Sequence, residues 1–187
     1  MKLVMTLLAR NEEDVLGANI DFHLAQGVDH IIAMDNRSTD RTRQILEAYE
    51  AAGKVTYLFQ PANDIAQGRW VTYMARLAFN HHGADWVINN DADEFWWPTR
   101  GTLRRTFKKL PSGVDIVEAP RKNFVFVEPT DGSSEFYERM IYVQEPSLNL
   151  LGKPLPSKVA HRGSPNVIVH QGNHSVENVL FGVNTRL

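Results

Sequence analysis

Between Ala84 and Trp97 the chain reads ADWVINNDADEFWW, an apolar run that ends in Asp91, Asp93 and Glu94 and passes at once into aromatics. Carboxylates that close together repel one another, and burying them costs several kcal/mol unless a compensating charge is near. A bound cation is the usual compensation. Asp91 and Asp93 are hard oxygen ligands one residue apart. That suits Mg2+ or Mn2+, which take carboxylates and keep positions open for phosphate oxygens. An Asp-x-Asp pair alone is a weak signal. Its place at the end of an apolar strand favours a functional role over an acidic turn that caps the next element.

Two other stretches carry polar groups after an apolar run. In MDNRSTDRT, Asp35 is placed to accept hydrogen bonds from a ribose hydroxyl or a base nitrogen, whereas Asp40 is better read as a turn and helix-cap residue. In VHQGNH, His170 and His174 are four apart, but Gln171 and Gly172 follow the first where a zinc protease has glutamate on a helix, which excludes that chemistry. A histidine here remains a candidate for a further metal or phosphate ligand. Lys158, Arg162 and Arg121 are cations able to neutralise phosphate. The chain has no G-x-x-x-x-G-K loop and no G-x-G-x-x-G after a strand, so a bound nucleotide has its phosphates held by metal and side chains.

These groups are brought together by the elements around them. LVMTLLA, HIIAMD, KVTYLF and DWVINN read as buried strands. Between them lie helical patterns: one capped by Asn11 with Val15, Ala18, Phe22 and Ala25 inward and Gly27 at its end, and one capped by Ser38 or Asp40 that stops at Gly53. A third presents Val71, Met74, Ala75 and Ala78. Strands alternating with helices imply a mainly parallel sheet with right-handed crossovers, and ligands bind at the carboxyl ends of such strands. Arg10–Glu12, Asp35–Asn36 and Asp91–Glu94 all follow a strand, so topology alone places three distant polar clusters on one edge. After Pro98 the pattern changes. TLRRTFKKL reads as a short basic helix, and VDIVEAP, NFVFVEP and ERMIYVQE read as antiparallel or mixed strands added to the sheet. The last 30 or so residues read as loops and short strands.

The chain has 187 residues, 43% of them hydrophobic, enough for one domain with a core. The formal charge of −2 gives no basic surface for nucleic acid. Cysteine is absent, which excludes disulfides, a cysteine nucleophile and thiolate zinc. The opening apolar run is too short for a signal peptide, no window reaches the ~20 apolar residues of a membrane span, and the expected compartment is the cytoplasm.

Taken together, ARNEED after the first strand, DNRSTDRT after the second and NNDADEFWW after the fourth resemble the glycosyltransferase family 2-like enzymes of the GT-A fold, in the subgroup whose metal motif reads Asp-x-Asp-Glu-Phe. The likeness covers roughly residues 1–100. It implies a single domain over 1–187, with a nucleotide-binding half (1–98) and an acceptor-side half (99–187), the chain being short for such an enzyme. The implied fold is a Rossmann-type, mainly parallel α/β sheet flanked by helices, with mixed strands in the C-terminal half. The implied activity is metal-dependent, inverting transfer of a sugar from a nucleotide-diphosphate donor to a glycan, lipid or protein hydroxyl. Under that resemblance Arg10, Asn11, Glu12 and Asp35 hold the nucleoside, joined by Asp91 and Lys158; Asp91, Asp93 and His174 hold Mn2+ or Mg2+. The metal stabilises the diphosphate leaving group. The acceptor's base is Glu94 or a carboxylate of the later half, Asp131, Glu135 or Glu138.

Other readings are weaker. A haloacid-dehalogenase-type phosphatase places its Asp-x-Asp after the first strand, not the fourth, and needs a downstream aspartate pair that is missing. A nucleotidyltransferase lacks its glycine- and Lys/Arg-rich start. A non-catalytic carbohydrate- or protein-binding module on a degenerate transferase fold is opposed by the intact Asp91 and Asp93.

Overall fold

The computed structural model describes residues 1–62, 66–127, 139–179 and 184–186. Its first half runs β1 (Leu3–Ala9), α1 (Leu16–Ala25), β2 (His30–Asp35), α2 (Thr42–Ala51), β3 (Val55–Phe59), α3 (Gln67–His82) and β4 (Trp86–Asp91). Then come α4 (Leu103–Lys108), β5 (Ile116–Ala119), β6 (Phe124–Val125), β7 (Tyr142–Val143), β8 (Lys158–Arg162), β9 (Ile168–Val169), a 3-10 turn (Gln171–Asn173), β10 (Val176–Glu177) and β11 (Asn184–Arg186).

Seven strands form one sheet in the order β11-β5-β8-β4-β1-β2-β3. β1 pairs in parallel with β2 and β4, and β2 with β3. β8 runs antiparallel between β4 and β5. The sheet is buried on both faces, which explains why its strands read as unbroken apolar runs. Along β1, Leu3, Met5, Leu7 and Ala9 enter one core with Leu16 and Ile20 of α1 and Leu46 of α2. Val4 enters the other, with Val71, Met74 and Ala78 of α3 and Val169 of β9. Side chains alternate across a strand, so one seven-residue strand serves both layers.

The sequence-expected strands and the inward face of α3 agree with the structure; three expectations do not. Asn11 is not a helix cap: it has φ +57, and α1 starts only at Leu16. Val15 is buried just before α1, but the buried stripe of the helix itself is Leu16, Asn19, Ile20 and His23 rather than Ala18, Phe22 and Ala25, because two polar residues are drawn inward by the loop after β4. The segment around Lys158 forms the central antiparallel strand β8, while β6 and β7 pair only with one another. Five residues, four of them buried, suffice for β8 because β4 and β5 hydrogen-bond it on both sides.

Candidate functional site

The register sets the site. Ala9 is opposite Asp35 and Leu8 opposite Asp91, so β1, β2 and β4 end side by side. β8 is antiparallel to β4, which brings its first residue, Lys158, to that same edge. A cavity of about 310 Å³ opens there, bordered by Arg10, Glu12, Asn36, Trp70, Asp91 and Asp93. A larger hollow, about 590 Å³, lies along the outer side of α3 against His170 and holds none of the carboxylates.

The loop that presents Asp91 to Glu94 is clamped from below. Asn89 and Asn90, adjacent on β4, face opposite sides of the sheet. Asn89 accepts from Thr6 Oγ1 at 3.1 Å and donates to the Val159 carbonyl at 3.3 Å. Asn90 donates to the Glu94 carbonyl at 3.0 Å and to Asn19 Oδ1 at 3.3 Å. Asn19, fully buried on α1, donates to the carbonyls of Ala92 (2.9 Å) and Glu94 (2.7 Å). The Trp96 N–H donates to His23 Nε2 at 3.2 Å, which leaves Nδ1–H of that ring to donate to the Asn19 carbonyl at 2.8 Å. Burial lowers the His23 pKa to about 4, so the ring stays neutral and keeps its acceptor nitrogen.

The two loops facing this one are tied together. Asn11 N–H donates to Ser38 Oγ at 2.9 Å, and Asn11 Oδ1 accepts from Thr39 N–H at 2.8 Å. Glu12 N–H donates to Thr42 Oγ1, and Asp40 accepts from the N–H groups of Glu13 and Thr42. The structure thus brings Arg10, Glu12, Asp91 and Asp93 to one cavity, with Asn11 as a strut beside it. Asp35 is 0% exposed beneath the loop, accepting from Ser38 N–H at 2.8 Å, and its neighbour Asn36 borders the cavity instead.

The opening question, what compensates the carboxylates, has a divided answer. Lys158, 4% exposed, places its ammonium 2.5 Å from Asp91 Oδ2 and 3.0 Å from Glu94 Oε2. Arg121 Nη1 lies 3.3 Å from Glu94 Oε1. Asp91 Oδ1 also accepts from Gln67 Nε2 (2.9 Å) and Asn173 Nδ2 (3.1 Å). Glu94 nonetheless has its pKa raised, by burial first, with Lys158 opposing and Asp91 and Asp93 adding. Asp93 is exposed and has no ion pair among the described residues. Beside it the Glu12 carboxyl is pushed up to about 7, by burial first and then by the charge of Asp93. Glu12 and Asp93 are therefore the crowded, uncompensated pair.

His174 stands at the same end of the sheet. Its Nδ1 lies 2.8 Å from the Ser157 carbonyl, which fixes that nitrogen as the donor and leaves Nε2 with a free lone pair. Burial lowers its pKa, which favours the neutral ring. Gly172, at φ +78, makes this placement possible, since a Cβ there would come within 2.7 Å of the ring's Cδ2 and Nε2. His170 Nε2 instead lies 2.9 Å from Glu177 Oε1, and Arg162 lies over the Trp86 ring at 4.5 Å. Asp131, with Glu135 and Glu138, lies outside the described residues. Gln67, Asn173 and Asn19 were missed from sequence. Asn173 sits inside the very VHQGNH motif chosen for its histidines, and the apolar-face reading of α1 had no place for an inward asparagine.

Compared with known proteins, residues 7–161 match the family model described as Glycosyl transferase family 2. No curated protein sequence matches. Among solved structures, the chain is similar to S. aureus TarS 1–349 in complex with UDP, at 20% identity and TM-score 0.52 over 70% of this chain and 39% of that one. For TarS 1–349 alone the values are 17% and 0.52, over 87% and 47%. For the mannosyltransferase PcManGT of Pyrobaculum calidifontis, in complex with GDP-Man and Mn2+, they are 20% and 0.51, over 65% and 36%. The chain spans less than half the length of each of these.

Proposed function

The chain belongs to glycosyl transferase family 2, and from that premise we propose that it transfers a sugar from a nucleotide-diphosphate sugar to an acceptor hydroxyl, by inversion, at the cavity beyond β4. Its α/β architecture is that of the GT-A fold, as expected from the sequence. One observation carries the reading: Arg10, Glu12, Asn36, Asp91 and Asp93, from three separate loops, border one cavity at the carboxyl edge of the parallel strands. UDP in one structural neighbour and GDP-Man with Mn2+ in another support it.

A divalent cation fits the residues present. Among the described residues no three acidic or histidine side chains form a cage. Cations at nucleotide sites, however, take one or two carboxylates and complete their shell with phosphate oxygens and water. Asp93, open and next to the charge-crowded Glu12, would hold it, with His174 Nε2 as a further ligand. When bound, the cation supplies Lewis-acid stabilisation of the diphosphate leaving group.

This chain's own residues do the rest. Asp91 has one carboxylate lone-pair site left after its three donors, and offers it to a ribose hydroxyl. Arg10, exposed at the rim, sits where phosphate charge gathers. Asn36 faces the nucleoside, and buried Asp35 holds the turn that carries it. Glu94 is held by Lys158 and Arg121, so the acceptor proton is left to a carboxylate of the later half, Asp131, Glu135 or Glu138, with Asp131 the one to test first. The test is release of UDP or GDP from a panel of nucleotide sugars with Mn2+. The reading expects release from one nucleotide class, lost in Asp93→Asn; equal release by the Asp93→Asn protein would overturn it.

A further inference from the structure

Four carboxylates surround the end of β4, and they divide into two kinds. Asp91 and Glu94 face a buried ammonium, that of Lys158, whose side chain is 5% exposed; Asp93 and Glu12 face none among the described residues. Burying an ammonium costs desolvation that well-placed anions offset, and here two carboxylates lie within 3.0 Å of it. Topology fixes the position: Lys158 opens the one antiparallel strand next to β4, and its stem is packed in the sheet, so the ammonium cannot swing away as a surface lysine does. Asp91 is further held by Gln67 and Asn173, which pin the oxygen that Lys158 leaves.

We propose that Lys158 is a resident counter-ion that occupies the cation position between Asp91 and Glu94, so that the divalent metal is excluded from that pair and enters only together with the nucleoside diphosphate, on Asp93. Lys158 is thus a positioning residue. It holds Asp91 oriented for the nucleoside, and it makes metal binding depend on the nucleotide. The proposal rests on the reading above for the identity of the nucleotide, but not for the behaviour of metal alone.

The test is titration of Mn2+ into the protein, followed by the loss of the free-Mn2+ electron paramagnetic resonance signal, without nucleotide and with UDP or GDP. One open carboxylate with at most an imidazole beside it binds weakly, so the wild-type protein is expected to take up Mn2+ alone only near or above about 1 mM, and at least tenfold more tightly with one nucleotide. Lys158→Met leaves Arg121 on Glu94 Oε1 but uncovers Asp91 Oδ2 and Glu94 Oε2, and is expected to bind Mn2+ alone at least tenfold more tightly than wild type, a gain that loss of a merely structural lysine does not produce. Wild-type binding of Mn2+ alone at tens of micromolar or tighter overturns the proposal, and this arm decides it even if Lys158→Met does not fold. A folded Lys158→Met protein with unchanged Mn2+ affinity overturns it too. If neither nucleotide binds while Lys158→Met gains metal affinity, the counter-ion role stands and the donor-site reading falls.

Discussion

Asn19→Ala tests how the loop that carries Asp91 to Glu94 is held. The side chain donates to the carbonyls of Ala92 and Glu94, and accepts from Asn90 Nδ2. The Glu94 carbonyl keeps a second donor in Asn90, whereas the Ala92 carbonyl is left buried with none. An orphaned buried carbonyl costs roughly 1–3 kcal/mol, and each lost but replaceable hydrogen bond about 1. His23 is spared, because it also bonds the Asn19 backbone carbonyl. The sum is about 3–5 kcal/mol, which for a domain of this size lowers the melting temperature by roughly 6–20 °C. Differential scanning calorimetry measures the shift, and nucleotide titration of the folded protein is expected to weaken with it. A change below about 0.5 kcal/mol would refute the clamp, since the loop would then be held by something other than Asn19.

Acid is expected to destabilise the fold through His23 and His161, both fully buried and held near pKa 4 chiefly by desolvation. The unfolded chain takes up protons below about pH 6.5 and the folded one does not, so stability falls between pH 6.5 and about 4, by roughly 2 kcal/mol per histidine at pH 5 relative to pH 7. Urea midpoints at the two pH values read this, and a flat profile would contradict it. Gly172→Ala forces a side chain into a positive-φ position against the His174 ring, and is expected to cost about 1–2 kcal/mol while weakening metal-dependent nucleotide binding. Unchanged binding would remove His174 from the site. Asp131→Asn is expected to lower kcat about a hundredfold or more with nucleotide affinity intact; full turnover would place the base elsewhere.

Much of this was legible in the chain. The four parallel strands announced themselves as apolar runs between helical patterns, and topology then delivered Arg10, Glu12, Asp91 and Asp93 to one edge before any side chain was placed. Partnership was not legible. A sequence shows that Asp91 and Glu94 need compensation, but not that it comes from Lys158, 67 residues later than Asp91, because that pairing depends on an antiparallel strand of five residues whose pattern is too short to read. Asn19 and Asn173 were hidden for a related reason: inward polar residues break the apolar periodicity that helix reading relies on, and their hydrogen-bond partners are backbone atoms or carboxylates far away in sequence. Asp35 was well placed by topology, yet its side chain turns inward to Ser38 rather than outward.

The most direct test of the central claim is calorimetric titration of UDP and GDP into the protein, each with and without Mn2+, repeated on Asp93→Asn. The account predicts that one nucleotide binds, that Mn2+ strengthens it at least tenfold, and that Asp93→Asn abolishes the metal's effect while leaving the melting temperature within a few degrees. A folded protein that binds neither nucleotide, or binds one equally well without metal and in the Asp93→Asn variant, would contradict it.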